Sequence, residues 1–219
     1  MSLLLSASTN PPQSKDLLEY INILNDVNVD YIHCDVMDGK FVPNKTIDHK
    51  TVGKINKITH KPLDVHLMVQ KPWRVVGKYI KNGADILSVH YEAFDSSKLL
   101  QKTLCKIRRK GAFASIVINP STQIKDIESF LPYCDMVLVM SVEPGKSGQT
   151  FIPQTLQKLE ELQKVIKKQG INLVVEVDGG VNLDNAPELK SLGANIIVMG
   201  MALYSSENKM QLVEQIHNL

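Results

Sequence analysis

Apolar residues in this chain gather into short runs separated by amphipathic stretches. Eight runs, at residues 3–7, 31–36, 63–68, 86–89, 113–118, 136–140, 173–177 and 196–199, are rich in Val, Ile and Leu. They are mostly too short for helices and lack strict polar alternation, the pattern of parallel strands covered on both faces. Between them apolar residues recur at three- and four-residue spacing. This predicts helices at 14–27, where Leu17, Leu18, Ile21 and Leu24 form the stripe, and at 73–81, 97–109, 124–131, 153–168, 185–192 and 206–217. Pro153 suits a first helical turn and Gly170 the stop after it. Asn82-Gly83-Ala84-Asp85-Ile86 and Leu192-Gly193-Ala194-Asn195-Ile196 share one logic, in which a glycine ends a helix in left-handed geometry and a strand follows.

Strand–helix alternation repeated eight times predicts an α/β fold. Eight units favour a single (β/α)8 TIM barrel spanning residues 1–219 over an open doubly wound sheet, although periodicity alone does not settle closure. No linker, low-complexity tract or second domain interrupts the pattern.

Composition narrows the function classes. Hydrophobic residues make up 43% of the 219, enough for a sizeable core, and charged residues 22%. A net charge of +2 gives no reason to expect a nucleic-acid or membrane partner. The basic runs Arg108-Arg109-Lys110 and Lys167-Lys168 fall at predicted helix ends, where cations complement the helix dipole. Cys34, Cys105 and Cys134 lie far apart without C-x-x-C spacing, against a zinc ribbon or disulfide framework and in keeping with a reducing cytoplasm. The opening Met-Ser-Leu-Leu-Leu-Ser lacks the basic n-region of a signal peptide, and no apolar stretch reaches the ~18 residues of a transmembrane helix.

Candidate chemistry sits where a barrel concentrates it, at the C-terminal ends of the strands. The second run ends His33-Cys34-Asp35-Val36-Met37-Asp38-Gly39, and alternation puts His33, Asp35 and Met37 on one face. The third reads Asp64-Val65-His66-Leu67-Met68, with His66 and Met68 on a shared face, and the seventh ends Glu176-Val177-Asp178-Gly179-Gly180. A lone strand histidine is usually a hydrogen-bonded core residue, and a lone aspartate after a strand is often a helix N-cap. Four such groups at one barrel mouth weaken both explanations, because they would repel or go unsatisfied unless paired or bound to a metal. Two imidazoles and two carboxylates suit a first-row divalent ion, with zinc, iron, manganese or cobalt all open on the donor set alone. Met37, Met68 and Met140 fit flexible core packing, or a polarisable cap that keeps water from a charged site. His90 ends the fourth strand and Asn119 follows the fifth, both at the mouth; neither has assigned chemistry, and both are candidates to support the residues that do.

The loop after the sixth run, Ser141-Val142-Glu143-Pro144-Gly145-Lys146-Ser147-Gly148-Gln149, and the pairs Gly179-Gly180 and Gly200-Met201 predict a phosphate cradle, because glycines let backbone N–H groups approach an anion. Any one of these could be an ordinary turn; three on neighbouring strands favour the anion. The loop does not match the Walker pattern.

These segments resemble the ribulose-phosphate 3-epimerase family, and less specifically its hexulose-phosphate (allulose 6-phosphate) relatives. The resemblance rests on the stretches 33–44, 63–69, 139–145 and 175–181. It implies an isomerase of carbohydrate metabolism, in the pentose phosphate pathway, acting on a small ketose phosphate and assembling as a homo-oligomer. It implies that His33, Asp35, His66 and Asp178 hold one divalent metal and that Asp35 and Asp178 are the acid/base pair. His66, Met37, Met68, Met140, Gly145, Lys146, Ser147, Gly148, Gly179, Gly180, Gly200 and Met201 would contact substrate. Epimerisation at C3 removes a proton α to the C2 carbonyl; one aspartate takes it and the other returns a proton to the opposite face, through a metal-stabilised enediolate. Three departures stand out. The usual Gly-Phe-Gly-Gly is Gly145-Lys146-Ser147-Gly148, the usual Gly-Ser after the last strand is Gly200-Met201, and Leu3 occupies the place expected for a first-strand serine. Lys146 is expected to replace part of the lost phosphate grip with direct charge. A non-catalytic barrel that kept the metal site is the reading of another class, and the intact aspartate pair argues against it.

Overall fold

The computed structural model describes residues 2–11 and 16–219. Eight parallel strands close into one barrel in sequence order. They are β1 (Leu4–Ser8), β2 (Tyr31–Met37), β3 (Leu63–Met68), β4 (Ala84–His90), β5 (Phe113–Ile118), β6 (Met136–Met140), β7 (Val174–Asp178) and β8 (Ile196–Met199). Closure comes from β1 pairing with β8, Leu4 against Ile196 through Ala7 against Met199.

Alternation along each strand sorts its side chains into two layers. Leu3, Leu5, Ala7, Val65, Leu67, Leu87 and Val177 belong to the apolar shell between barrel and helices. Inward-facing Leu4, Tyr31, Ile86, Met136, Val174 and Ile196 plug the bottom of the barrel. Above that plug the interior turns polar: Ser6, His33, Asp64, Ser88, Ser115 and Glu176 are all fully buried. A barrel interior normally fills with branched aliphatics, so this polarity marks where chemistry displaces packing.

The helices are α1 (Leu17–Asp26), α2 (His49–Ile58), α3 (Val76–Lys81), α4 (Ser97–Arg109), α5 (Ile124–Ile127), α6 (Gln154–Gln169), α7 (Ala186–Ser191), α8 (Met201–Tyr204) and α9 (Lys209–His217). Several differ from the periodicity. The expected start of the first helix at 14 lies outside the described residues, and α1 runs from Leu17. Two helices, α2 and α8, were not predicted. The stretch 73–81 splits into a 3-10 turn and α3, because Lys71 takes a left-handed conformation (φ 60°) and Pro72 opens the tighter turn. The stretch 124–131 is one turn of α5 followed by a 3-10 segment through Tyr133 that contains Pro132, whose ring and missing N–H forbid a regular helix there. Pro153 caps α6 instead of lying in its first turn, whereas Gly170 ends it at φ 61° as expected. All three cysteines are free. No helix among the described residues is long and apolar enough to cross a membrane.

Candidate active site

The C-terminal strand ends open onto a cavity of about 250 Å³. At its floor the structure brings together His33 and Asp35 from β2, His66 from β3 and Asp178 from β7. One ligating atom from each lies within 4.8 Å of the others. His33 Nε2 is 3.5 Å from Asp35 Oδ1 and 3.8 Å from Asp178 Oδ2. His66 Nδ1 is 3.6 Å and 3.7 Å from the same two oxygens. Donors ~2.0–2.2 Å from a tetrahedral ion would be about 3.3–3.6 Å apart. His33 Nε2 and His66 Nδ1 are buried and find no hydrogen-bond partner in the protein. Orphaned nitrogens facing paired carboxylates fit one divalent cation.

Backing groups aim these ligands. His33 Nδ1 lies 2.5 Å from Asp64 Oδ2, which also accepts the Ser6 hydroxyl at 3.0 Å. That leaves Nε2 facing the cluster, the usual carboxylate–histidine–metal arrangement. His66 Nε2 meets His90 Nε2 at 2.8 Å, and Phe41 packs against His90 at a tilt of 47° with centroids 4.8 Å apart. Asp35 Oδ2 accepts the Ser8 hydroxyl at 2.6 Å.

Charge in the cluster is strongly biased. Burial works against the charged form of His33, but the carboxylates of Asp64 and Asp35 outweigh it and hold its pKa well above the ordinary imidazole value. Burial likewise opposes ionisation of Asp35, yet the His33 and His66 imidazoles keep it well below the usual carboxylate range. His66 is raised, the nearby Asp178 and Asp35 carboxylates outweighing its burial. Burial pushes His90 the other way, down to about 4. Glu176 is driven well up by burial and by the Asp64 carboxylate. Glu92 stays below its ordinary value, its burial offset chiefly by hydrogen bonding to His90.

The cavity walls carry the other candidates. Met37, Met68 and Met140 line it and are almost wholly buried. On the opposite rim lie Gly145, Lys146, Ser147, Gly148, Gly179, Gly180, Gly200 and Met201. Gly145 has φ +104°, and a Cβ there would stand 2.7 Å from Val42 Cβ. At Gly180, with φ +64°, a Cβ would press into the backbone of Phe151. These two glycines are required by close backbone approach as well as by conformation. Asn44 Nδ2 donates to the Gly145 carbonyl at 2.7 Å, tying the loop after β2 to the loop after β6.

Some groups escaped the sequence reading. Leu3 packs outside the barrel, on the face opposite Ser6 and Ser8, so the first-strand hydroxyl that reaches the cavity is that of Ser8. Asp64 and Glu176 point inward below the cluster. Their signal was the same two-residue alternation that picked out His66 and Asp178.

Residues 4–204 match the ribulose-phosphate 3 epimerase family. The chain belongs to that family. A ribulose-phosphate 3-epimerase of Synechocystis is 43% identical over 200 residues, covering 91% of this chain and 86% of that protein. The ribulose-phosphate 3-epimerase of Bacillus subtilis is 41% identical over 207 residues, covering 93% and 94%. Among solved structures, the 3-keto-L-gulonate-6-phosphate decarboxylase of Vibrio cholerae superposes with a TM-score of 0.76 over 100% of this chain and 97% of that one, at 12% identity. That likeness is one of fold.

Proposed function

We propose that this protein epimerises D-ribulose 5-phosphate to D-xylulose 5-phosphate at C3 with a divalent metal, zinc by first preference. The observation that carries this reading is the placement of two carboxylates in the cavity with two imidazoles behind them. The side chains of Asp35 and Asp178 are 7% and 17% exposed, whereas those of His33 and His66 are at 0%. Metal chemistry alone would not demand exposed carboxylates. Proton transfer to a substrate carbon does.

In this reading His33, Asp35, His66 and Asp178 hold the ion. When bound, it supplies positive charge to the C2 carbonyl oxygen and to the charge that develops there. Asp35 and Asp178 then work as a pair, one removing the C3 proton and the other delivering a proton to the opposite face. Ser8 fixes the second oxygen of Asp35 and so its orientation. Met37, Met68 and Met140 offer surface without exchangeable protons, which limits stray reprotonation. The glycine loops take the phosphate on the far rim, with Lys146 adding direct charge where the family's usual loop residues are absent. Residues 1–219 act as one domain, and a homo-oligomer belongs to the same proposal, to be read by light scattering.

Incubation with ribulose 5-phosphate in D2O, followed by NMR, tests this directly. Deuterium should enter at C3 as xylulose 5-phosphate forms, and zinc should co-purify in the same sample. Exchange with allulose 6-phosphate alone would move the assignment to a six-carbon substrate; exchange with neither would refute it.

A further inference from the structure

A polar chain leads from His66 away from the cavity. Its Nδ1 faces the Asp35 and Asp178 carboxylates, and its Nε2 lies 2.8 Å from Nε2 of His90 on β4. The two rings meet edge to edge, with centroids 4.9 Å apart and planes 24° from parallel. His90 Nδ1 lies 3.2 Å from Glu92 Oε2. Glu92 Oε1 accepts the backbone N–H of Asn119 at 2.8 Å and the Thr122 hydroxyl. Both rings are fully buried, so water does not compete for their nitrogens.

This chain has a direction that can be read from its fixed end. A backbone N–H can only donate, so Glu92 must meet Asn119 with an acceptor, and the ionised carboxylate accepts on both oxygens. His90 Nδ1 faces such an oxygen and therefore carries the hydrogen. In a neutral ring its Nε2 is then a lone pair. His66 Nε2 must donate to that lone pair, which leaves the lone pair of His66 on Nδ1, aimed at the cluster.

We propose that His90 and Glu92 are positioning residues that hold the neutral His66 ring in its Nε2–H tautomer and so present the Nδ1 lone pair to the metal. The inference rests on the metal reading above. His33 receives the same service from Asp64 directly, at 2.5 Å. The β3 ligand has its carboxylate one imidazole further out. Asp35, Asp178, Asp64 and Glu176 already crowd the two histidines, and a further adjacent carboxylate would add like-charge repulsion. An intervening histidine transmits the orientation without moving that charge inward.

Glu92→Gln is the deciding variant. Glutamine has the same size, but it must place an N–H2 either toward His90 Nδ1 or toward the Asn119 N–H. The first reverses the chain and puts a hydrogen on His66 Nδ1; the second sets two donors face to face. Zn2+ titration against a chromogenic chelator should show binding weakened about 10–100-fold, with the metal-free protein still unfolding in one cooperative transition. Long-range 1H–15N spectra of Zn2+-loaded wild type should show His66 protonated at Nε2 and His90 at Nδ1, a readout independent of how the variant folds. His90 protonated at Nε2, or equal Zn2+ affinity in wild type and variant, would overturn the relay while leaving the metal site standing. A wild type that takes up no Zn2+ would overturn both.

Discussion

Asp35 and Asp178 differ from their histidine neighbours in one physical respect, access to the cavity, and that difference sets their roles. Replacing either by Asn should lower kcat for ribulose 5-phosphate by roughly 10²–10⁴-fold, the usual contribution of a positioned acid or base. Zinc content measured on the same samples separates lost proton transfer from lost metal. Lys146 sits on the far rim and touches none of the four, so Lys146→Ala should raise KM by about tenfold, near 1.4 kcal/mol, with kcat held. An unchanged KM would show that the glycine loops grip the phosphate unaided. The four metal candidates were legible because His33, Asp35, His66 and Asp178 fall on the inner face of recognisable strands. Asp64 and Glu176 were equally legible by spacing, but an acid two residues deeper in a barrel contradicts the expectation of an apolar interior. Buried His33 compensates Asp64, whereas burial beside the Asp64 carboxylate favours the neutral acid at Glu176.

Among the elements, the strands declared themselves within a residue or two, because burial on both faces leaves a dense Val/Ile/Leu record. The helix α2 did not. It buries only Val52 and Ile55, carries Gly53 in its interior and is otherwise lysine-rich, so its apolar stripe is too sparse to stand out. Its clearest signal was its cap: Asp48 accepts from the N–H groups of Lys50 and Thr51. Asp48→Ala should cost about 1 kcal/mol at neutral pH in urea unfolding. Hydrogen bonding from the Thr51 N–H holds the Asp48 pKa below its usual value. A depressed folded pKa stabilises above the unfolded value and loses that contribution as pH falls through the folded one, so the gap between variant and wild type should narrow below about pH 4. The loop pair after β2 and β6 makes a second test. Gly145→Ala would be strained at φ +104° and would collide with Val42. It should cost about 1–3 kcal/mol and raise KM, since both loops wall the same cavity.

For the whole molecule, closure was the least legible property. Strand count favours a barrel, but only the pairing of β1 with β8 makes one, and that contact joins residues nearly two hundred positions apart. The metal set is equally dispersed, drawn from β2, β3 and β7, so the ion would bind the folded barrel and not the unfolded chain. Zinc at 100 times its dissociation constant should therefore add ~2.7 kcal/mol of stability. That corresponds to a rise of roughly 5–10 °C in Tm over chelator-treated protein by calorimetry, and a smaller rise for Asp178→Asn, which keeps three of the four ligands. His217 in α9 reaches back to Asp30 Oδ2 at 2.9 Å, and Asp30 Oδ2 also accepts from Leu5 N–H, so the C-terminal helix is tied to β1 and to the start of β2.

The seam between β1 and β8 bears on the protein's birth at the ribosome. At ~5–20 residues per second of synthesis, the strands bearing His33 and His66 emerge roughly 6–33 seconds before β8. Through that interval β1 keeps an open edge that only a later part of the chain can cover. A nascent barrel cannot finish one half and wait. It stays unsealed, with its ligands unassembled, until β8 and α9 have cleared the exit tunnel.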